Sequence, residues 1–461
     1  MASTYLTRTQ ANFGTATNSK KCTISFWVKR SSLTVQQAVM GVETTPAGGV
    51  NEARFILRGD DTFEFYDYQS GYTFRYITTR KFRDTSAWYN FVIKIDTSQA
   101  NVTHRCRLYV NGQEETSFAT ESNPAQNQDT FLNSGNYVQI GRQSTGNSYL
   151  NGLLSHYHFI DGEDRGPEYF GETDSTTGEW KIKTEATGVN YGTNGFFILK
   201  DGNSVTDQSG EGNNFTVAGG TLTKTEDCPS NVFATANAID NYYQNFSFTN
   251  GNTAFTTNSS SNTSAPIKST IGINSGKYYW EVKCVGVNTG SFTYGTVGIT
   301  SRDITTNAQG NHLGSKNEDY AYYSYNGHLL NNSGTSNTGT AYGNTYTTGD
   351  IISVALDLDN NKLYFSKNGT WQNSGDPTSG STGTGAVSIA LPTANNGKGN
   401  YFTGVGDYHF TPIYSFAMNF GNGYFGTTAV SSAGTNASGN GIFEYDVPAG
   451  FTALSTKGLN L

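Results

Sequence analysis

Ile351–Trp371 reads IISVALDLDNNKLYFSKNGTW. Ile352, Val354, Leu356 and Leu358 occupy alternate positions, the period of two expected of a strand with one buried face. Asp359-Asn360-Asn361 then turns the chain, and Leu363 and Phe365 resume the alternation. Asn368-Gly369 supplies the positive φ angles of a two-residue hairpin. Trp88–Gly112 follows the same order: Phe91, Ile93 and Ile95 alternate, a polar turn holds Asp96, Cys106, Leu108 and Val110 alternate, and Asn111-Gly112 closes the run. Upstream, Cys22, Ile24, Phe26 and Val28 alternate with Thr23, Ser25, Trp27 and Lys29. Two meanders of one grammar predict an all-β chain with two domains of one architecture.

Composition agrees with this reading. The 461 residues include 54 Gly, 29 Tyr and 28 Phe, with 14% charged against roughly 25% in an average soluble domain. Gly, Asn, Ser and Thr between aromatic and β-branched runs describe strands joined by tight turns. A formal net charge of −8 with no basic stripe argues against a nucleic-acid partner. No apolar run approaches the ~18 residues of a spanning helix, so membrane insertion is not expected. Met1-Ala2-Ser3-Thr4-Tyr5 lacks a basic segment followed by an apolar core, so no signal peptide is expected.

The predicted division is a first sandwich over 1–161, an irregular Gly/Asn-rich connector over 162–241, a second sandwich over 242–425, and a C-terminal tail over 426–461 packed on the second domain. Asn258–Pro266 and Thr378–Gly385 read as exposed loops. Cys22, Cys106, Cys228 and Cys284 are far apart and form no C-x-x-C pair, which argues against a zinc site. A Cys22–Cys106 bridge stays open at this point. His156 and His158 would share one strand face, but no acidic or thiol ligand joins them at metal spacing.

Longer motifs carry a resemblance. TISFWVKRSSL (Thr23–Leu33), CRLYVNGQ (Cys106–Gln113) and YVQIGRQSTGNSYLNGLLSHYHFIDG (Tyr137–Gly162) resemble a laminin G-like, concanavalin A-type module. SGKYYWEVK (Ser275–Lys283), YGTVGITSRD (Tyr294–Asp303), the Ile351–Pro377 meander and TPIYSFAMNFG (Thr411–Gly421) resemble a SPRY domain. Both families are antiparallel two-sheet sandwiches of jelly-roll type, so the resemblance implies two of them in tandem. The connector motifs FGETDSTTGEWKIK (Phe170–Lys183) and YGTNGFFILKDGNSVTDQSGEGNNFTV (Tyr191–Val217), with the closing VPAGFTALSTKGLNL (Val447–Leu461), resemble structural proteins of phages of marine bacteria, including cyanophages. That resemblance implies a virion-surface protein, a tail fibre or a head decoration, made in the host cytoplasm. Its partners would be capsid or tail subunits and host-surface polysaccharide, and a homo-oligomer is expected, with a trimer among the options.

The resemblance also sets tests for chemistry. Retaining glycosidases of concanavalin A type place two carboxyls roughly 5–5.5 Å apart across one sugar, in a pattern like E-x-D-x-x-E. Glu172-Thr-Asp174 with Glu179 departs from that spacing, so no catalytic residue is expected, and a polysaccharide depolymerase is the alternative function. Laminin G-like modules often hold calcium with loop oxygens. Asp60, Asp61, Asp67 and Asp96 are the candidate donors, with solvated turn residues the preferred reading; no other cofactor is expected. Tyrosines crowd EFYDYQSGY (Glu64–Tyr72) and NEDYAYYSYNG (Asn317–Gly327), and in each run alternate rings must face a core. Tyr66, Asp67, Tyr68 and Tyr72, with His312, Tyr320, Tyr322 and His328, are the candidate ligand-binding residues. Recognition is expected in the loops around Asn311–Asn317 and Asn326–Thr340, and an inward-packed Tyr323 or Tyr325 would serve stability instead.

Overall fold

The computed structural model describes residues 4–460 apart from 10–13, 46–48, 134–136, 144–147, 201–203, 241–245, 258–265, 289, 292–293, 304–311, 334–338, 393–398 and 409–412. The chain forms two compact units, Met1–Lys224 with Cys228–Ser230, and Thr225–Asp227 with Asn231–Leu461. Each is an antiparallel sandwich, and the described helical segments are 3-10 turns of at most six residues.

In the first unit the eight-stranded sheet runs, edge to edge, Phe118–Ser122, Tyr72–Lys81, Thr62–Gln69, Asn51–Leu57, Gln37–Glu43, Tyr137–Ile140, Tyr5–Thr9 and Thr216–Gly219. The six-stranded sheet runs Phe196–Ile198, Gly152–Asp161, Lys21–Arg30, Tyr89–Asp96, Cys106–Val110 and Gln113–Glu115. Cys22, Ile24, Phe26 and Val28 are fully buried in the shared core, as their alternation predicts. Rings close the gap between the sheets, with Phe63 of the larger 4.4 Å from Phe91 of the smaller. Each such buried ring stabilises by roughly 1.5–3 kcal/mol. The hairpin at Asn111-Gly112 has φ angles of 48° and 76°, the left-handed pair that Asn-Gly adopts at least cost.

The boundary expected at residue 161 lies at 224 instead. Phe196–Ile198 pairs with Gly152–Asp161, and Thr216–Gly219 pairs with the N-terminal strand Tyr5–Thr9. Most of the expected connector therefore supplies edge strands and core to the first unit, with Phe196, Ile198 and Phe215 inside it. The Cys22–Cys106 bridge is also corrected. Ile95 stands between them in register, opposite Cys22 on one side and Cys106 on the other. Two strand spacings, ~9.5 Å, exceed the reach of a disulfide, and all four cysteines are free.

In the second unit one sheet runs Ser247–Thr249, Ala254–Thr256, Tyr414–Asn419, Lys277–Val287, Ile351–Asp357, Lys362–Lys367 and Thr370–Trp371, and Thr452–Ala453 joins Lys277–Val287 in parallel. The other runs Ile267–Lys268, Phe402–Asp407, Gly295–Thr300, Asp319–Tyr323, His328–Leu330 and Thr340–Ala341. Ile352, Val354, Leu356 and Leu358 face the core with Leu363 and Phe365. The turns hold Asn361 at φ 57° and Asn368 at φ 48°. The tail contributes Phe443, Val447, Phe451 and Leu454 to this core. Glu281 ties it down by accepting from the amides of Glu444 and Tyr445, each at 2.9 Å. The unit begins earlier than residue 242, since Phe233, Ala234 and Ala236 are core residues. Thr378–Gly385 is built largely as a 3-10 segment, Pro377–Thr382, capped by the Asp376 carboxylate. Most of Asn258–Pro266 lies outside the described residues.

Candidate functional site

The strand Asp319–Tyr323 decides which tyrosines face where. Val297 and Ile299 of the neighbouring Gly295–Thr300 strand point into the inter-sheet core, opposite Tyr322 and Tyr320 in register. Tyr320 and Tyr322 are therefore core residues: the Tyr320 hydroxyl accepts the Ala390 amide at 2.9 Å, and Tyr322 packs 5.5 Å from Phe365 of the opposite sheet. The opposite parity, Ala321 and Tyr323, forms a separate cluster with Leu313 and Leu330 on the sheet's outer face, joined by Tyr294 and Tyr408. Tyr320 and Tyr322, two of the five tyrosines expected to bind, thus pack into the core, and Tyr323 and Tyr325 stand on the outward side.

On that outer face a chain of rings runs His312–Tyr408 at 4.2 Å, Tyr408–Tyr323 at 5.4 Å, Tyr323–Tyr325 at 6.1 Å and Tyr325–Tyr294 at 6.2 Å. Tyr325 is 51% exposed at its rim. Beneath it, Tyr323 and His312 are buried, and Thr296 is paired with Tyr323 in register. Among the described residues, the Tyr323 hydroxyl, His312 Nε2 and Thr296 Oγ1 have no hydrogen-bond partner. Buried polar atoms are nearly always paired, so three such orphans around one aromatic cluster set this face apart.

The loop bearing His312 is fixed from below. Asp319 receives both contacts of Arg302 Nε at 2.9 Å, the Thr300 hydroxyl at 2.7 Å and Gly314 N at 3.2 Å, while Arg302 Nη2 donates to the His312 carbonyl at 3.2 Å. Burial, reinforced by the positive Arg302 and Lys316, pushes the His312 imidazole down to about 3, so it is neutral. His328 is half-buried two residues before Leu330 and shares that face by strand parity. Asn311 and residues 334–338 of the expected recognition loops lie outside the described residues.

In the first unit Tyr66, Tyr68 and Tyr72 do come together. Tyr72 meets Tyr66 at 5.4 Å and Tyr68 at 5.3 Å, edge-on in both cases, and Arg75 lies 4.7 Å over Tyr72. Tyr66 is buried and donates to Glu52 at 2.7 Å; Tyr72 is 49% exposed. Asp67 sits on the other face of its strand, fully buried. It accepts from Gln69 at 3.0 Å, Thr73 at 2.8 Å, Phe131 N at 2.7 Å and Leu132 N at 3.2 Å, and so pins a neighbouring loop.

The remaining candidate oxygens have similar occupations. Asp61 pairs with Arg30 at 3.2 Å and Arg83 at 2.9 Å, Asp96 with Lys21 at 3.0 Å, and Asp60 with the Thr62 hydroxyl at 2.6 Å. Among the described residues no group of three His, Cys, Asp or Glu side chains could hold a metal ion. His158 bonds the Tyr191 hydroxyl at 2.8 Å and stacks on Phe197 at 3.9 Å, while His156 bonds the Ser155 hydroxyl at 2.7 Å. Glu172, Asp174 and Glu179 belong to the hairpin Gly171–Thr173 and Trp180–Ile182. There Asp174 binds Lys181 at 2.6 Å and organises the turn through Thr176 N and Thr177 N.

Comparison with known proteins follows the two units. Residues 2–163 match the profile of the Concanavalin A-like lectin/glucanases superfamily, and residues 277–391 match that of the SPRY domain. Ran-binding protein 10 of Danio rerio is 36% identical over 104 residues, 23% of this chain and 15% of its own length. Ran-binding protein 9 of Homo sapiens is 36% identical over 104 residues, 23% of this chain and 13% of its own length. The matches thus span about a seventh of the length of these relatives. The SPRY domain of human HERC1 aligns at 19% identity with a TM-score of 0.28, over 38% of this chain and 94% of that structure. By the two profile matches alone, residues 2–163 of the first unit are concanavalin A-like and residues 277–391 of the second are SPRY-like.

Proposed function

We propose that this chain is a non-enzymatic interaction protein whose principal recognition surface is the outer face of the SPRY sheet. The observation that carries this reading is the trio of buried polar atoms without a partner among the described residues, Tyr323 OH, His312 Nε2 and Thr296 Oγ1, beneath the half-exposed Tyr325. Neutral donors set among rings suit a polypeptide: backbone carbonyls or amide side chains satisfy the orphans, and apolar side chains cover the rings. The Ran-binding relatives, whose matched segment is confined to a small part of their length, are consistent with a protein partner. In the first unit, Tyr68 and Tyr72 offer ring faces suited to a saccharide.

The setting we favour is the exterior of a phage particle, as a head decoration or fibre. It is supported by the resemblance of the Phe170–Lys183, Tyr191–Val217 and Val447–Leu461 motifs to marine phage structural proteins. Many copies on one particle would turn weak single contacts into firm attachment.

Panning a random peptide display library against the full chain tests the recognition face. Selected peptides should lose at least tenfold in affinity on Tyr323→Phe or Tyr325→Ala, and keep it on Tyr72→Ala. Peptides indifferent to Tyr323 and Tyr325 would overturn the assignment.

A further inference from the structure

Asp407 ends the strand Phe402–Asp407, opposite Gly295. Val405, two residues earlier, lies in the inter-sheet core, so the Asp407 side chain points the same way. It is buried, and among the described residues its Oδ1 has no partner and the Thr257 hydroxyl is the group that bonds its carboxyl. Every other buried carboxylate described above has a cation or several donors.

Thr257 is the first link of a chain that ends in the recognition face. Its amide donates to Tyr414 O at 2.8 Å, and Tyr414 N returns to Thr257 Oγ1 at 2.9 Å. Tyr294 N donates to the Tyr414 hydroxyl at 3.2 Å, and Tyr408 N donates to Tyr294 O at 2.8 Å. Tyr294 and Tyr408 flank Tyr325 and Tyr323 in the ring chain.

We propose that Asp407 is a proton-dependent positioning residue for the recognition face: as the neutral acid it keeps the Thr257–Tyr414–Tyr294–Tyr408 chain closed, and as the carboxylate it opens that chain and unseats both tyrosines. This rests on reading the ring cluster as a recognition site.

Among the described residues, the surroundings offer no counter-charge. Ala254–Thr257, Gly295–Thr300 and Tyr414–Asn419 carry no charged residue, and their titratable groups near this node are the phenols of Tyr294 and Tyr414. Lys268 of the adjoining Ile267–Lys268 strand pairs with Gly404 and so faces outward, where it meets Asp240 at 2.6 Å. The buried Tyr346 hydroxyl donates to the carbonyl of Gly295, opposite Asp407, at 2.9 Å, Tyr408 is a further phenol, and His409 lies outside the described residues. Burial without a counter-charge pushes the Asp407 carboxyl up to about 8, whereas in an opened, solvated state it titrates at the ordinary ~3.9. The closed form therefore holds the proton more tightly. Closure is strongest below pH ~4, weakens as pH rises, and reaches a floor above pH 8.

Amide hydrogen exchange on the full chain between pH 5 and about 9.5, corrected for intrinsic chemistry, reads this without any partner. Its failure is thus separable from failure of the recognition reading. The opening constants at Tyr294 and Tyr408 should rise about tenfold per pH unit and level off above 8, while those at Val282 and Ile352 stay flat. Asp407→Asn should hold Tyr294 and Tyr408 closed across the range. A flat wild-type profile at those two amides, an equal slope at Val282 and Ile352, or a slope that persists in Asp407→Asn would each overturn the proposal. The wild-type series decides the matter alone if the variant does not fold.

Discussion

Phe196 stands opposite Phe159 in the strand pair that closes one edge of the first sandwich, with ring centroids 5.6 Å apart. Phe196 also meets Tyr157 at 6.1 Å and Phe215 at 4.7 Å. A segment with the composition of a linker is thus part of a core.

A fragment of residues 1–230 should therefore unfold in one cooperative transition, and residues 1–161 should not. In the full chain, Phe196→Ala should cost the first unit about 3–5 kcal/mol, the usual range for a buried Phe. Calorimetry of both fragments checks this, and a cooperative transition in 1–161 would show that the edge strands are dispensable.

The second unit has a matching dependence at its start. Ala234 N donates to Leu454 O at 2.9 Å, and Phe233 bridges to Ser455. Residues 225–461 should fold independently. A fragment starting at Phe246 loses Phe233, Ala234 and Ala236 and should melt at lower temperature with a broader transition.

His312 links pH to stability in the opposite sense to Asp407. Its imidazole is neutral when folded, pushed down to about 3, and titrates near 6.5 when unfolded. The stability it contributes is present above pH ~6.5 and is lost as pH falls toward 3. His312→Gln should flatten that acid limb. Because the ring is buried against Tyr408, His312→Ala should also cost about 1–3 kcal/mol at pH 7, measurable by denaturant titration.

The donors around Asp67 predict indifference to chelation. All its contacts come from N–H and O–H groups of the chain. EDTA should leave the first unit's melting temperature unchanged, whereas Asp67→Ala should lower stability by about 2–4 kcal/mol by orphaning the Phe131 and Leu132 amides. A chelator-dependent shift would reopen calcium binding.

How much of this was legible follows from how each strand is covered. Cys22–Val28 and Ile352–Leu358 are covered on both faces, but they alternate because only one face enters the apolar core while the other is buried largely through polar residues such as Thr23, Ser25 and Ser353; Asn-Gly marked both hairpins. Phe196-Phe197-Ile198 shows no alternation because both of its faces meet apolar or aromatic partners: Phe196 and Ile198 enter the inter-sheet core, and Phe197 packs on His158 and clusters with Phe170 outside it. In DYAYY the tyrosines occupy both parities, so the period predicts two faces without saying which is inward. That choice is made by Val297 and Ile299 across the register, information held in a different strand. Tyr294 and Tyr408 were missed because their approach to Tyr323 depends on folding, with no local motif to mark it.

The pairing of Thr216–Gly219 with Tyr5–Thr9 bears on synthesis. At about 5–20 residues per second, the N-terminal strand waits on the order of ten seconds or more after emerging from the ribosome before its edge partner exists. During that interval the nascent eight-stranded sheet has an open edge beside its first strand, available to a second nascent chain on the same message. Crowded translation is therefore where mispairing of this protein should concentrate, and a chaperone that covers exposed strands would act there to most effect.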